Sequence, residues 1–393
     1  MTRSEFPFTR TCPFAPPAEY GELRDAPRPQ RVPLRTGGQA WLLTRHDQVR
    51  EALKDGRLSN DRGAPGFPSP IPIPDEFKVG GSLLGMDPPE HGPARRLVAG
   101  EFTHKRVQAM RPTVERNVAR AITDMLDGPD PADLHQALGV RITMDTITEL
   151  LGLEDLDRGF MHARTKVMFG GQSTAEERRR AVTELNGHFV DIAKAKAAHP
   201  ADDVISRLVA RWPDPKDWDE IGNMVRLLLN GGHDSTASMI SLGTLTFLQH
   251  PDQLKLLVDD PSLAVSAVEE MLRFLGVTDL TTARVATEDM EIDGATIRAG
   301  EGVYPTTASA NRDTAAFDRP DELDITRGTR NHLAFGNGRH LCLGMDLARL
   351  ELQVTYTELF RRVPELQLAV PFEDLRYRQG GLVFGVESLP VTW

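Results

Sequence analysis

Residues 218–250 set the strongest constraint on what this 393-residue chain can fold into. Asp217 and Asp219 offer N-cap oxygens at its start, and Pro251 forces its end. At ~1.5 Å per residue such a helix runs ~50 Å, right across a molecule of this size. In its middle lies Leu227-Leu228-Leu229-Asn230-Gly231-Gly232-His233-Asp234-Ser235-Thr236. Two glycines inside a helix cost about 1 kcal/mol each relative to alanine, and polar residues buried beside them need partners. A kink or a tight helix crossing would explain one isolated glycine. Two glycines next to an acid and two hydroxyls predict a ligand groove.

Helical patterns dominate the rest of the chain from Pro88 to about Pro364, over 93–111, 112–127, 133–151, 175–198, 203–211, 262–275 and 343–362. In the last of these, Leu343, Leu347, Leu350 and Val354 fall on one helix face. Strand-like pieces are few: Ala40–Leu43, Met290–Ile292, Thr296–Ile297, Gly302–Tyr304 and 382–391, with a short helix at Gln48–Leu53. The proline-dense stretch 63–74 can be neither a helix interior nor a central strand, and reads as a wall or lid. The Pro- and Arg-rich start reads as loose, and Cys12 within it is assigned no role. There is no internal repeat. The expectation is one mainly α domain with a small β portion, spanning 1–393.

Composition narrows the class. A net charge of −11 exerts no global pull toward nucleic acid. Two cysteines cannot build a disulfide framework, a four-cysteine zinc site or an iron–sulfur cluster. No run approaches the ~18 apolar residues of a membrane span, and the first residues lack the apolar core of a signal peptide. A cytoplasmic, monomeric protein without membrane or nucleic-acid partners is expected.

The richest window is Leu333–Leu347, LAFGNGRHLCLGMDL. A glycine loop leads to Cys342 just before an amphipathic helix, where free N–H groups and the helix dipole favour a thiolate. A thiolate there could be a nucleophile, a redox sensor or a metal ligand. The full spacing, Phe335-x-x-Gly338-x-x-x-Cys342-x-Gly344, resembles the haem-thiolate proteins of the cytochrome P-450 superfamily. The resemblance continues upstream. Glu270-Met271-Leu272-Arg273 is similar to the family's E-x-x-R motif, which anchors the Cys loop; by spacing alone Glu269 is an equal partner for Arg273. Ala310–Asp313 and Phe317–Pro320 resemble its meander, with Glu322 where many relatives carry an arginine as third partner of the Glu270–Arg273 pair. The Gly231–Thr236 segment resembles the oxygen-binding motif. Asp234 takes the acid position, and Ser235 replaces the usual threonine and loses its χ1-restricting methyl.

That resemblance implies a mainly α cytochrome P-450 fold, with haem b (iron protoporphyrin IX) between the long central helix and the Cys loop, and Cys342 as iron ligand beside Phe335 and Gly336. His91, Arg95, Arg284 and His340 fit the propionate positions. Asp234 and Ser235, with Thr236 as a second hydroxyl, would deliver protons to bound O2. Leu83, Leu84, Leu227, Asn230, Gly231, Leu280, Thr282, Leu382 and Val383 would line the substrate pocket, with loops 63–82 and 168–176 gating it. The implied activity is a monooxygenase of secondary metabolism, hydroxylating a mid-sized hydrophobic molecule. Electrons would come from NAD(P)H through ferredoxin reductase and ferredoxin, docked on a basic face including Arg96, Lys105, Arg106, Arg111, Arg339 and Arg349. Alternatives are a peroxygenase or C–C coupling enzyme, a non-catalytic haem sensor, or a haem-free hydrolase using Cys342 with His340.

Overall fold

A computed structural model describes residues 4–70, 83–153, 158–169, 173–212, 214 and 217–393. The helices among them are α1 (Glu19–Asp25), α2 (His46–Ala52), α3 (His91–Ala99), α4 (His104–Ala109), α5 (Arg111–Leu126), α6 (Arg141–Leu151), α7 (Arg158–Phe169), α8 (Ala175–Ala198), α9 (Val204–Arg211), α10 (Trp218–Gln249), α11 (Pro251–Asp259), α12 (Ala264–Leu275), α13 (Thr307–Ala310) and α14 (Met345–Arg362). The strands are β1 (Gln30–Pro33), β2 (Gln39–Leu43), β3 (Leu58–Ser59), β4 (Ala132–Asp133), β5 (Arg284–Ala286), β6 (Met290–Ile292), β7 (Ala295–Ile297), β8 (Gly302–Pro305), β9 (Gln367–Leu368), β10 (Tyr377–Arg378), β11 (Gly385–Val386) and β12 (Pro390–Thr392). Among the described residues no helix is long and apolar enough to cross a membrane.

Two compact units share the chain. The first comprises residues 1–80, 242–342 and 376–386, the second 81–241, 343–375 and 387–393. The first unit is organised on a five-stranded sheet of order β1-β2-β8-β5-β3, in which β2 and β8 run parallel and the other pairs antiparallel. Side chains alternate across a strand, and the register pairs Leu42 with Tyr304 and Trp41 with Val303. Leu43 and Val303 therefore join Val49, Ala52 and Ile297 on one face. Leu42 and Tyr304 join Phe6, Tyr20 and Val32 on the other. A sheet buried on both faces explains why β8 is apolar throughout.

The second unit holds the long helix up to Ser241, packed by α6, α7 and α14. Gly139, beside α6, sits so close to α10 that a Cβ there would lie 2.9 Å from the Ala237 carbonyl. Tyr356 of α14 donates to the Met239 carbonyl at 2.6 Å, and Arg362 donates to the Ala119 carbonyl of α5 at 2.8 Å. A small sheet of order β4-β12-β9 completes the unit.

Several sequence expectations need correction. The single helix over 93–111 is α3, a 3-10 turn at Gly100–Phe102 and α4, because Thr103 is extended (ψ 148°). The segment 133–151 begins with β4 and a π-helical turn at 135–140 before α6. Helix α7 had no expected counterpart. Pro251 ends α10 but also starts α11. Arg284 lies within β5, a strand absent from the expected pieces. The strand 382–391 resolves into β11 and β12. The N-terminal segment is not loose: Phe6 N–H donates to Pro33 O at 2.8 Å, and Arg10 is buried. Residues 71–82 and 170–172 of the expected gating loops lie outside the described residues.

Candidate functional site

In the first unit, Gly336 and Gly338 adopt positive φ (71° and 73°), the region that favours glycine. At Gly338 a Cβ would lie 2.7 Å from the Leu53 carbonyl, so the loop rests directly on the end of α2. Asn337 adds a hydrogen bond to the Arg50 carbonyl at 3.0 Å. The Cys342 N–H donates to Phe335 O at 2.9 Å, fixing the cysteine backbone, while the residue itself is exposed. Gly344 follows as the N-cap of α14.

Arg273 is fully buried and donates to both oxygens of Glu270, each at 2.8 Å. Its Nη1 reaches the carbonyls of Asn311 (2.9 Å) and Pro320 (2.7 Å), and Nη2 also reaches that of Glu322 (3.3 Å). Glu270 Oε1 also accepts from Asp324 N–H at 3.0 Å and from Arg327 Nε at 3.2 Å. The third partner of this network is therefore Arg327, and Glu322 contributes its carbonyl. Glu269 is equally buried but bonds His332 Nε2 at 3.0 Å. Asn311 closes the circuit by accepting the Leu333 N–H at 2.7 Å, at the head of the Cys loop. Sequence spacing left Glu269 and Glu270 equivalent, and no local signal marked Arg327 or His332.

In the second unit, the two central glycines of α10 do different work. A Cβ on Gly232 would lie 2.9 Å from Ile147 Cδ1 of α6, so this glycine serves a tight helix crossing. Gly231 is exposed, and a Cβ there would meet nothing within 4 Å. Asp234 and Thr236 are buried, and Ser235 is half-buried. Ser238 and Ser241 turn their hydroxyls back onto carbonyls four residues earlier at 2.8 and 3.0 Å, the usual way a buried helical hydroxyl is satisfied. Ser235 makes the same bond to Gly231 O at only 3.4 Å, which leaves its hydroxyl loosely held.

Asn230, expected as a polar pocket group, commits its amide to α7: Thr165 donates to Oδ1 at 3.0 Å, and Nδ2 lies 3.7 Å from Met168 Sδ. His233 is buried between Thr143 Oγ1 (2.8 Å) and His162 Nδ1 (3.0 Å). His162, Thr165 and Met168 have the i, i+3, i+6 spacing of one helix face, a signal the sequence reading passed over with α7.

Of the expected cationic groups, His91 opens α3 as a buried residue and Arg95 is half-buried on the next turn, both in the second unit. In the first unit Arg284 is buried on β5 and donates to the Thr282 and Ala283 carbonyls (3.0 and 2.8 Å), while half-buried His340 ends a 3-10 turn. Leu83, Leu84 and Leu227 belong to the second unit, where Leu84 is exposed and Leu83 buried. Leu280, Thr282, Leu382 and Val383 belong to the first. Arg96 and Lys105 are exposed, whereas Arg106, with Arg207 and Arg211, surrounds the buried carboxylate of Glu101 at 2.8–3.0 Å.

An accessible cysteine sulfur, on a backbone fixed at a helix N-terminus and braced by a buried ion-pair network, suits a thiolate ligand for a large flat metal macrocycle. Within the first unit, the exposed Cys342 and the buried Arg284 suit such a group. Comparison with known proteins turns that class into a family. The family model described as cytochrome P-450 matches residues 262–366. Cytochrome P-450 105A3 of Streptomyces carbophilus is 43% identical over 99% of this chain and 95% of its own. The vitamin D3 dihydroxylase of Streptomyces griseolus is 42% identical over 99% of this chain and 96% of its own. Among solved structures, the mycinamicin VIII C21 methyl hydroxylase MycCI of Micromonospora griseorubida, bound to mycinamicin VIII, superposes with a TM-score of 0.93 at 34% identity, covering all of both chains. The chain belongs to the cytochrome P-450 family. It is a haem-thiolate monooxygenase that oxygenates small organic substrates, and its family membership implies haem b.

Proposed function

We propose that this chain, acting as one haem domain over 1–393, inserts one oxygen atom of O2 into a C–H bond of a mid-sized hydrophobic molecule, giving the hydroxylated product. Electrons come from NAD(P)H through ferredoxin reductase and ferredoxin. The observation that carries the reading is Ser235, a half-buried and weakly bonded hydroxyl next to the buried acid Asp234 and the open Gly231. The vitamin D3 dihydroxylase and mycinamicin VIII C21 methyl hydroxylase among the relatives support hydroxylation as the outcome.

Haem bound by the Cys342 thiolate supplies oxygen activation, because thiolate ligation favours O–O cleavage. The chain's own residues do the rest. Cys342 would hold the iron from a backbone fixed by Phe335 O, in a loop whose shape Gly336 and Gly338 set. His91, Arg95, Arg284 and His340 would hold its propionates, which a chain of net charge −11 must neutralise locally. Asp234 relays protons together with Ser235 Oγ, whose loose bond lets it switch partners; Thr236 offers a second hydroxyl. Leu83, Leu227 and Gly231 in the second unit, and Leu280, Thr282, Leu382 and Val383 in the first, are the residues that orient substrate and exclude water on this reading. Arg96, Lys105 and Arg106 offer the acidic ferredoxin a basic face.

The test is coupling. With ferredoxin, its reductase and NAD(P)H, wild type converts most consumed reducing equivalents to product, and Ser235→Ala diverts them to peroxide. Unchanged coupling in Ser235→Ala removes the hydroxyl from proton delivery. Turnover with peroxide alone but not with the electron-transfer chain identifies a peroxygenase instead.

A further inference from the structure

The buried Arg10 lies far in sequence from every functional motif, yet its side chain reaches two of the segments assigned to the substrate pocket. Its guanidinium donates to the carbonyls of Cys12 (3.2 Å), Pro13 (2.7 Å) and Ala15 (2.9 Å), folding residues 10–15 into a turn around itself. A fourth contact, at 3.5 Å, reaches the carbonyl of Gly276, the left-handed residue that ends α12. The face of the guanidinium lies 4.2 Å from the centroid of the Phe384 ring, and that ring stacks on Tyr377. The Arg10 carbonyl accepts from Gln379 Nε2 at 2.8 Å.

These contacts converge on two loops of the first unit. One is 276–282, which carries Leu280 and Thr282. The other is the β10–β11 turn, 379–384, which carries Leu382 and Val383. Phe384 N–H donates to Val277 O at 2.8 Å and ties the loops to each other. Tyr20 and the start of α13 hold the far end of the first loop. Asp279 Oδ2 accepts from Tyr20 at 2.5 Å, and Oδ1 accepts from Ala308 N–H at 2.8 Å. Arg312 anchors the outer part of the N-terminal turn by donating to Phe14 O at 2.6 Å and to Phe274 O at 2.8 Å. Loss of water lowers the Arg10 pKa to about 10, so the cation persists at neutral pH, satisfied by carbonyl dipoles and an aromatic face.

We propose that Arg10 is a positioning residue for substrate recognition, fixing the β10–β11 turn against loop 276–282 and thereby the spacing of Leu382 and Val383 from Leu280 and Thr282. The proposal rests on the reading that these four residues face substrate. Arg10 touches no substrate itself; it sets the wall through Phe384 and Gln379. Lysine keeps the charge but lacks the planar fork that serves several carbonyls while stacking on a ring. Arg10→Lys should therefore behave like a partial loss.

The test uses the haem-loaded protein and two azoles that ligate haem iron, imidazole (small) and clotrimazole (bulky), with Arg10→Met, Arg10→Lys, Phe384→Leu and Val383→Phe. In Arg10→Met and Phe384→Leu, clotrimazole affinity should fall by about tenfold with imidazole affinity unchanged. Amide exchange over 276–286 and 376–386 should quicken in both, and Arg10→Lys should fall between them and wild type. If Arg10→Met and Phe384→Leu lose only thermal stability, with the clotrimazole-to-imidazole affinity ratio unchanged, Arg10 is merely structural and the proposal is overturned. The direct wall variant keeps the two readings apart. A changed ratio in Val383→Phe beside unchanged ratios in Arg10→Met and Phe384→Leu sinks the positioning role alone. An unchanged ratio in Val383→Phe sinks the pocket assignment, and the proposal with it.

Discussion

Helix α12 and the middle of α10 both place acids and hydrogen-bonding groups in apolar surroundings, and they resolve the conflict in opposite ways. In α12 every polar atom of consequence is consumed: Glu270 by Arg273, Asp324 and Arg327, and Glu269 by His332. In α10 the Ser235 hydroxyl is held at 3.4 Å and the adjacent Gly231 is open. Buried charge with all partners present makes a rigid brace, because removing either partner strands the other. A polar group kept only loosely satisfied is free to exchange partners with a ligand. The difference separates scaffold from chemistry within one molecule.

Breaking the brace should have the largest effect. Arg273→Ala leaves Glu270, at 1% exposure, with only the Arg327 guanidinium and the Asp324 N–H as partners, and Glu270→Ala strands Arg273. Each should cost about 3–5 kcal/mol, read as loss of soluble, haem-loaded protein and a collapsed thermal midpoint. Gly232→Ala comes next. Its Cβ would press on Ile147 Cδ1 at 2.9 Å, and overpacking of this kind costs about 1–3 kcal/mol in denaturant unfolding. Gly231→Ala, one residue away, has room, so it should leave stability equal or raise it by up to about 1 kcal/mol. Equal losses from the two alanines would erase the distinction drawn between them.

A subtler effect belongs to Glu351 of α14. Burial pushes its carboxyl well above the usual 4.5, opposed only in part by the Thr146 hydroxyl. The folded protein then keeps a proton that the unfolded chain releases, so stability is full below about pH 4.5 and declines as pH rises toward the folded value. Glu351→Gln should flatten that decline in denaturant midpoints measured from pH 5 to 8; an unaltered slope would show the carboxyl ionised in the native state.

The long helix and the Cys loop were legible in the sequence because each rests on local rules: an unbroken apolar period with stops at both ends, and glycines spaced ahead of a helix N-terminus. Long-range pairing was not. Glu269 and Glu270 are equivalent by spacing, and only the fold, by bringing His332 to one and Arg327 to the other, tells them apart. Helix α7 was missed, and Asn230 with it: its amide looked available for a ligand until Thr165 and Met168 supplied partners. The N-terminal segment read as loose from its prolines, while the bonds of Arg10 to Gly276 and of Arg312 to Phe14 that order it join residues more than 260 apart.

The most direct measurement is the absorption spectrum of the reduced, carbon-monoxide-bound protein, taken for wild type and Cys342→Ser. Wild type should show the Soret position of thiolate-ligated haem, and the variant should lose it while remaining folded. A colourless purified wild type, or a spectrum that survives removal of the Cys342 sulfur, would contradict thiolate ligation of haem by this loop.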